Sequence, residues 1–254
     1  MSSSPGLRLG AATALAGVLL DREQATLPDA KLYVDGLGMA LFNLLVIGPL
    51  VYARVPVAPP RRRVASLRSA VHAAVRVGLE ATGLVGAHAV LYHLAHRAMH
   101  KARALWPLHA PHHRFRETVT PSAANAVTPG EFLLAYMAPF AIAAALHPPA
   151  PTALLCAAAF VSACNLLVHA PSRATDALGR RLPAWWVDPR THLEHHRTRL
   201  RRYSAPTLDV DLVAGRLSPL LVAGLGVATA AVARTSKAPT LAFFDPPVLS
   251  PWMC

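Results

Sequence analysis

The chain has 254 residues, of which 54% are hydrophobic and only 15% charged, and its formal net charge is +12. Soluble globular domains carry about 25% charged residues, so this composition excludes an ordinary water-soluble fold, and it also excludes a disordered chain or a disulfide scaffold. Nucleic-acid binding is not favoured either, because the Lys and Arg residues lie between apolar segments, as in loops beside membrane spans.

Uncharged apolar stretches predict the membrane spans, since a hydrocarbon core of about 30 Å requires about 20 helical residues. Residues 9–20 fit either a signal-peptide hydrophobic region or an interfacial helix, and both interpretations stay open. Residues 36–53 form the clearest isolated span. Residues 132–146 and 152–168 flank a proline-rich segment that cannot continue a helix, which predicts a helical hairpin. Residues 217–233 are a further candidate span.

Residues 69–96 are ambiguous. Their first part carries Arg76 and Glu80, a helical i,i+4 pair, whereas residues 81–91 are mostly apolar. This pattern predicts a helix that enters the membrane obliquely, or one that spans it with its polar end near an interface. The basic loop at 54–68 conflicts with the positive-inside rule if the histidines that follow are cytoplasmic, so the sequence leaves the side of this loop open.

Most of the 13 histidines lie in three clusters: H-x-x-x-H at 96–100, H-x-x-H-H at 109–113 and a second H-x-x-H-H at 192–196. Spacings of three and four place imidazoles on one face of a helix, so two of them can reach the same metal ion. Neutral imidazole binds iron, zinc and copper, and histidines without cysteine do not resemble a structural zinc site. The clusters therefore predict a metal site. His169 is expected on the same side of the membrane and is a further candidate ligand.

The clusters and their surroundings resemble the fatty acid hydroxylase superfamily of integral-membrane di-iron enzymes. The most specific part is Y-x-x-x-H-R-x-x-H at 92–100, followed by L-W-x-x-H-x-x-H-H at 105–113 and P-x-E at 129–131. After the last cluster, Tyr203 and residues 209–215 are similar to the closing motif of that superfamily.

This resemblance implies two iron ions, which zinc can replace in recombinant material, held by nine histidines: His96, His100, His109, His112, His113, His169, His192, His195 and His196. Ligating imidazoles need outer hydrogen-bond partners that fix their orientation. The candidates are His93, Glu117, Asn165, Asp188, Glu194 and Asp209. The carboxylates among them have an alternative role as solvated interfacial groups. We interpret His72, His88 and His147 as ordinary surface or core imidazoles.

The resemblance further implies an oxygen-dependent oxidoreductase that hydroxylates or desaturates a lipid, with a sterol-type substrate ahead of fatty acyl, sphingoid or carotenoid ones. Electrons are expected from a separate donor, such as cytochrome b5 or ferredoxin with its NAD(P)H reductase, because no fused cytochrome b5 domain is recognisable in the sequence. The arginines at 197–202 either face lipid headgroups or dock an acidic donor of this kind.

The predicted fold class is an all-α integral membrane protein, with transmembrane hairpins below a cytosol-facing cap that carries the histidines. The membrane would be the endoplasmic reticulum or another endomembrane in a eukaryote and the inner membrane in a bacterium. We expect an N-terminal membrane segment at 1–68, a catalytic domain at 69–216 and a C-terminal apolar segment at 217–254. The alternatives are a histidine-rich metal-binding or transport protein, or an inactive relative with a structural role. A membrane metalloprotease is disfavoured, since neither H-E-x-x-H nor H-x-x-E-H occurs.

Overall fold

The computed structural model describes residues 4–59, 66–199, 202–204 and 206–216. In these ranges the chain is helical and has no named strand; Trp186 and Leu208 form an isolated antiparallel bridge. The helices are α1 (Pro5–Asp21), α2 (Ala30–Tyr52), α3 (Leu67–Lys101), α4 (Trp106–His109), α5 (Pro129–Leu146), α6 (Pro151–Val168), α7 (Arg173–Gly179) and α8 (Pro189–Thr198). The candidate span at 217–233 and the arginines at 61–63 and 201 lie outside the described residues.

Four of these helices, α2, α3, α5 and α6, are long and apolar enough to cross a membrane. Large hydrophobic side chains on them are exposed, among them Leu79, Leu134, Leu146 and Phe160. Apolar surface of this extent suits contact with lipid tails rather than water. The chain is thus an all-α integral membrane protein, which confirms the predicted fold class, and the predicted hairpin corresponds to α5 and α6.

Helix α3 resolves the ambiguity of residues 69–96. It has 35 residues, or about 52 Å at 1.5 Å per residue, which exceeds a hydrocarbon core of about 30 Å. Ser66 and Ser69 cap its first turn, each side chain accepting a hydrogen bond from the backbone N–H of the other. Its last turn carries His100 and Lys101. This length fits a helix that spans the membrane with both polar ends outside it.

Helix α1 packs one face of small residues against the rest of the bundle. Its buried positions are spaced by three or four residues and therefore share one side of the helix: Gly6, Gly10, Thr13, Gly17 and Asp21. A Cβ at Gly10 would lie 1.9 Å from the carbonyl oxygen of Leu44 in α2, so only glycine permits this approach of the two backbones. Residues 9–20, left open by the sequence, are here part of a packed helix of the bundle.

Two of the spanning helices change register at a π-turn that precedes a proline. In α2 the π-turn is Asn43–Ile47 and Pro49 follows, and in α5 it is Phe132–Met137 and Pro139 follows. Proline has no N–H and its ring displaces the carbonyl four residues earlier, so the regular hydrogen-bond ladder cannot pass through it. Both π-turns contribute side chains to an apolar cavity described below.

The bundle has two distinct ends. The ends of α1, α3 and α6 lie with the starts of α2 and α5 at the histidine end; the opposite ends of these helices form the far end. The Ala58 N–H donates to the Pro149 carbonyl at 2.8 Å, so the loop after α2 lies beside the α5–α6 turn. The described flank of the basic loop is therefore at the far end, opposite the histidines.

A buried loop at 121–127 joins the second histidine cluster to α5, and α1 helps to fix it. The Asp21 carboxylate is 3% exposed and accepts hydrogen bonds from the Ser122 N–H at 2.9 Å and from the Tyr33 hydroxyl at 2.7 Å. One side chain thus ties α1 both to α2 and to the loop.

The spanning helices supply further partners to the same loop. Asn43 donates through Nδ2 to two loop carbonyls, at 3.1 and 2.8 Å. Tyr136 Oη and Asn165 Nδ2 both donate to the Ala124 carbonyl, at 3.2 and 3.1 Å. The loop contains a 3-10 turn, Pro121–Asn125, and its buried backbone groups need hydrogen-bond partners. These side chains supply partners for three of its carbonyls.

Candidate metal centre

The first histidine cluster occupies the last turns of α3. His96 and His100 are four residues apart, so their rings lie on the same helix face about one turn apart. Tyr92 lies one turn earlier, and its ring packs edge-on against that of His96, with 5.2 Å between the ring centroids. Helix α3 therefore carries this pair from the membrane segment into the site.

The second cluster follows at once and is built from two short turns. His109 ends α4, and Pro111 then leads into a 3-10 turn, His112–Arg114. The rings of His109 and His113 pack 4.5 Å apart, whereas His112 turns toward His169, at 5.4 Å between centroids. Adjacent histidines of one cluster thus face different neighbours.

The third cluster lies on α8, whose start is fixed by sequence. Asp188 is its N-cap, accepting the Thr191 N–H at 2.8 Å, and proline occupies the first helical position. The helix ends at Arg199, whose φ of 58° is left-handed and whose guanidinium lies over the Trp106 ring at 5.5 Å. This cation–π contact holds the end of α8 against the second cluster.

The structure brings all nine predicted histidines together, in two groups. In each group the imidazole nitrogens lie within 4.8 Å of one another. Group one contains His96, His100, His109, His113 and His195, and group two contains His112, His169, His192 and His196. All are buried except His100, which is half-buried.

More imidazole nitrogens converge in each group than hydrogen bonds between them can satisfy. In group one, His96 Nε2 lies 2.9 Å from His109 Nε2 and 3.2 Å from His100 Nε2. In group two, His192 Nε2 lies 3.0 Å from His169 Nε2 and 3.2 Å from His196 Nε2. A neutral imidazole nitrogen either donates or accepts, so several Nε2 atoms around one point cannot all be satisfied by each other. Each group can instead hold a metal ion, as imidazole-only sites do.

Outer hydrogen bonds set the ring orientation of three of these histidines. The Nδ1 atoms of His96 and His169 lie 3.1 Å from the Tyr203 carbonyl oxygen and 2.7 Å from the Asn165 carbonyl oxygen. His109 Nδ1 lies 2.7 Å from Glu131 Oε1. An Nδ1–H that donates outward leaves the Nε2 lone pair directed into the group, which is the tautomer that a metal ligand needs.

Burial keeps the imidazoles outside the spanning segments neutral. The pKa values of His109, His112, His192 and His196 fall well below the ordinary value, first because the rings are desolvated and then because neighbouring imidazoles would repel a second charge. Burial lowers the pKa of His169 to about 4. Neutral rings retain the lone pairs that metal binding requires.

Some of the predicted outer residues lie at the site, and others are exposed at the surface. The side chain of Asn165 holds the buried loop while its carbonyl accepts from His169, so this residue is beside the ligands as expected. Asp188 contributes as the N-cap of α8. Glu117 is exposed and pairs with Arg197 at 3.2 Å, and Glu194 is also exposed. For these two carboxylates the structure favours the solvated alternative, because neither lies within the buried site.

His93 and Asp209 are both buried, but their partners are residues near Tyr203 rather than the nine histidines. His93 Nδ1 is 3.6 Å from the Asp211 carboxylate. Asp209 accepts hydrogen bonds from the Ser204 hydroxyl at 3.3 Å and the Leu212 N–H at 3.0 Å. Both therefore organise the segment around Tyr203, whose carbonyl contacts His96.

Sequence reasoning missed Glu131 as an outer partner. This carboxylate is fully buried, and its second oxygen, Oε2, has no hydrogen-bond partner among the described residues. Thr128, the N-cap at the start of α5, accepts the Glu131 N–H at 3.1 Å and donates to the Leu108 carbonyl, which positions α5 against α4. The P-x-E motif at 129–131 was the available signal, but no helical spacing links Glu131 to His109.

Comparison with known protein families is consistent with this geometry. A family model described as fatty acid hydroxylase matches residues 81–215, more than half of the chain. The chain belongs to the fatty acid hydroxylase family. No curated protein and no solved structure matches it.

The matched range contains all nine histidines and Glu131, and it excludes α1 and α2. Family membership, the membrane helices and two histidine groups that can hold metal together support a membrane lipid hydroxylase or desaturase in general, hence an oxidoreductase. The domain boundaries at 68 and 216 stay predictions.

Proposed function

We propose that the protein is an oxygen-dependent di-iron enzyme that hydroxylates or desaturates a lipid. The observation that carries this proposal is the convergence of five and four histidines, all but His100 buried, into two groups. Iron is proposed because the donors are imidazole nitrogens without cysteine, and because a lipid C–H bond is too inert for any side chain to oxidise. Bound metal would supply the activation of dioxygen that the reaction requires.

The residues of the chain would hold and insulate this centre. Group one would hold one ion and group two the other, with Glu131 and the Tyr203 and Asn165 carbonyls keeping the rings in place. The buried loop at 121–127 packs on the membrane side of the site, where it limits the entry of water. A sterol-type lipid is our first candidate substrate, ahead of fatty acyl, sphingoid and carotenoid lipids.

We also propose that the histidine end faces the cytosol. Loops at this end carry many basic residues, including Lys101, Arg103, Arg114, Arg116, Arg173, Arg180, Arg181 and Arg190. The described far end carries fewer, namely Arg8, Arg54, Arg68 and Arg76. The positive-inside rule favours the more basic end for the cytoplasm. The same surface would attract a separate acidic electron donor, such as cytochrome b5 or ferredoxin, served by its own NAD(P)H reductase.

The test replaces one ligand from each group. His112→Ala and His195→Ala should each reduce lipid oxidation to background, because an incomplete ligand set changes both metal occupancy and the open coordination positions. His147 is exposed at the far end, and His147→Ala should retain activity. Oxygenated or desaturated lipids would be measured in cells that lack other enzymes of this class, with about two ions per chain expected in the purified wild-type protein.

A metal-storage or transport protein would respond differently. Such a protein would lose function by degrees as ligands are removed, and it would form no oxidised lipid. Graded metal loss without a lipid product in the wild-type sample would contradict the proposed reaction.

A further inference from the structure

An apolar cavity lies in the membrane part of the bundle, on the membrane side of the candidate metal centre. Its walls come from α1, α2, α3, α5 and α6, and its volume is about 80 Å³, several times what one buried water requires. Along α6 it runs from Asn165 to Leu154, a rise of about 16 Å. None of the nine histidines lines the cavity, but Asn165, at one end of it, is one turn before His169, so this is the end nearest to group two.

The cavity contains a polar side chain that the metal centre does not use. His88 lines it, is only 1% exposed, and packs against Phe140 and Tyr92, with ring centroids 4.6 and 5.9 Å away. Neither of its ring nitrogens makes a hydrogen bond to any described residue. The sequence suggested an ordinary core imidazole, but a satisfied core imidazole has partners.

The Tyr136 backbone, which lies beside the ring, cannot satisfy both nitrogens of His88. A neutral imidazole has one donor and one acceptor nitrogen, and a backbone carbonyl could serve only the donor. The acceptor nitrogen would still lack a partner. An unsatisfied group of this kind is costly in an apolar interior, so it is expected to have a use.

We propose that His88 hydrogen-bonds a hydroxyl or carbonyl oxygen on the inserted segment of the lipid that occupies this cavity, and so selects oxygen-bearing lipids over hydrocarbons. His88 lies eight residues before His96, about 12 Å along α3. The recognised oxygen would then be held well away from the carbon presented to the metal. This inference rests on the proposed function, since it assigns part of the specificity of the same site.

Binding of matched lipid pairs to the purified full-length protein in nanodiscs tests the inference without turnover. One arm compares radiolabelled cholesterol with 5-cholestene, which lacks only the hydroxyl, and the other compares 1-dodecanol with dodecane. In at least one arm the wild-type protein should bind the alcohol about 2- to 10-fold more tightly. The pair that shows this preference indicates whether the cavity accepts a ring-type or a chain-type lipid.

The variants assign that preference to the imidazole. In His88→Phe, and in His88→Leu as a second apolar replacement, the ratio should fall to about one, whereas His88→Gln should retain part of it. His72→Phe, an exposed change in the same helix, should keep the wild-type ratio. Thermal stability should not fall in His88→Phe, because the group removed has no partner.

Two results would overturn the inference: an unchanged ratio in both apolar variants, or a wild-type ratio of one in both arms. Metal content and lipid oxidation measured on the same samples separate this outcome from failure of the proposed function. A preference that depends on His88 in a protein that oxidises no lipid would contradict the reaction alone. Lipid oxidation with a preference independent of His88 would contradict the inference alone.

Discussion

Glu131 lies outside the nine histidines, but its side chain hydrogen-bonds directly to one of them, His109. Through this contact it would influence metal binding. Both side chains are fully buried, and the carboxylate accepts the outward N–H of the ring at 2.7 Å. A carboxyl acceptor in this position makes imidazole a stronger ligand and fixes its tautomer.

We therefore expect Glu131→Gln to weaken metal binding by about 10- to 100-fold, because the amide preserves shape but is a weaker acceptor for the ring N–H of His109. Competition with a chelator, followed by metal analysis, would measure the change. The matched control is Glu117→Gln, which alters an exposed carboxylate paired with Arg197 and should leave metal affinity unchanged. Equal effects of the two substitutions would contradict the role assigned to Glu131.

The individual histidines also show which features of the site could be predicted from their spacing in the sequence. Histidines four residues apart share a group in every cluster: His96 with His100, His109 with His113, and His192 with His196. For the pairs on α3 and α8 this follows from helical geometry and was predictable, whereas His109 and His113 lie on two successive short turns. The assignment of His112 and His195 was not predictable, because each joins the group opposite to the pair in its own cluster. That choice depends on how three separate segments pack, which no local spacing encodes.

At the scale of helices, α1 and α2 approach closely enough that their contact can be tested by adding one methyl group. Gly10→Ala would place a Cβ 1.9 Å from the Leu44 carbonyl oxygen. The helices would have to move apart, and overpacking of this kind costs about 1–3 kcal/mol. A lower thermal transition of the protein in detergent is the expected result.

Gly38→Ala provides the control for this change. No atom lies within 4 Å of a Cβ at that position in α2. Alanine is the better helix former by about 0.5–1 kcal/mol, so this variant should be as stable as the wild type or more so. Equal destabilisation by Gly10→Ala and Gly38→Ala would mean that the close approach of α1 and α2 does not contribute to the stability of the bundle.

The sequence predicted those helices whose signal, an apolar stretch or a proline, lies within the helix or next to it. Long apolar stretches located the ends of α2, α5 and α6 to within about three residues, except that α2 begins six residues before the predicted start, because hydropathy and proline mark spans and turns directly. The role of residues 9–20 was not predictable, since it depends on the fit of Gly10 to a carbonyl in another helix. The buried loop was missed for the same reason, as its partners Asp21 and Asn43 lie about 80 to 100 residues away.

For the molecule as a whole, the orientation of the two ends is the main prediction. In a background without Cys156, Cys164 and Cys254, single cysteines would be placed at Pro148, in the α5–α6 turn, and at Ala174, at the histidine end; both positions are exposed. With the protein expressed in the inner membrane of a bacterial host, a membrane-impermeant thiol reagent applied to intact cells should label the first and spare the second until the cells are opened. Labelling of both in intact cells would contradict opposite ends, and labelling of Ala174→Cys alone would place the histidines outside.

The division of each H-x-x-H-H cluster between the two groups has a consequence for how metal enters. His112 and His113 are neighbours in the chain yet belong to different groups, and so are His195 and His196. An ion seated in one group would immobilise the backbone that supplies the other, so less ordering would remain for the second ion. Reciprocity then requires each occupancy to favour the other. Titration of the metal-free protein below saturation, followed by native mass spectrometry, should therefore yield empty and doubly loaded chains, with few that carry a single ion.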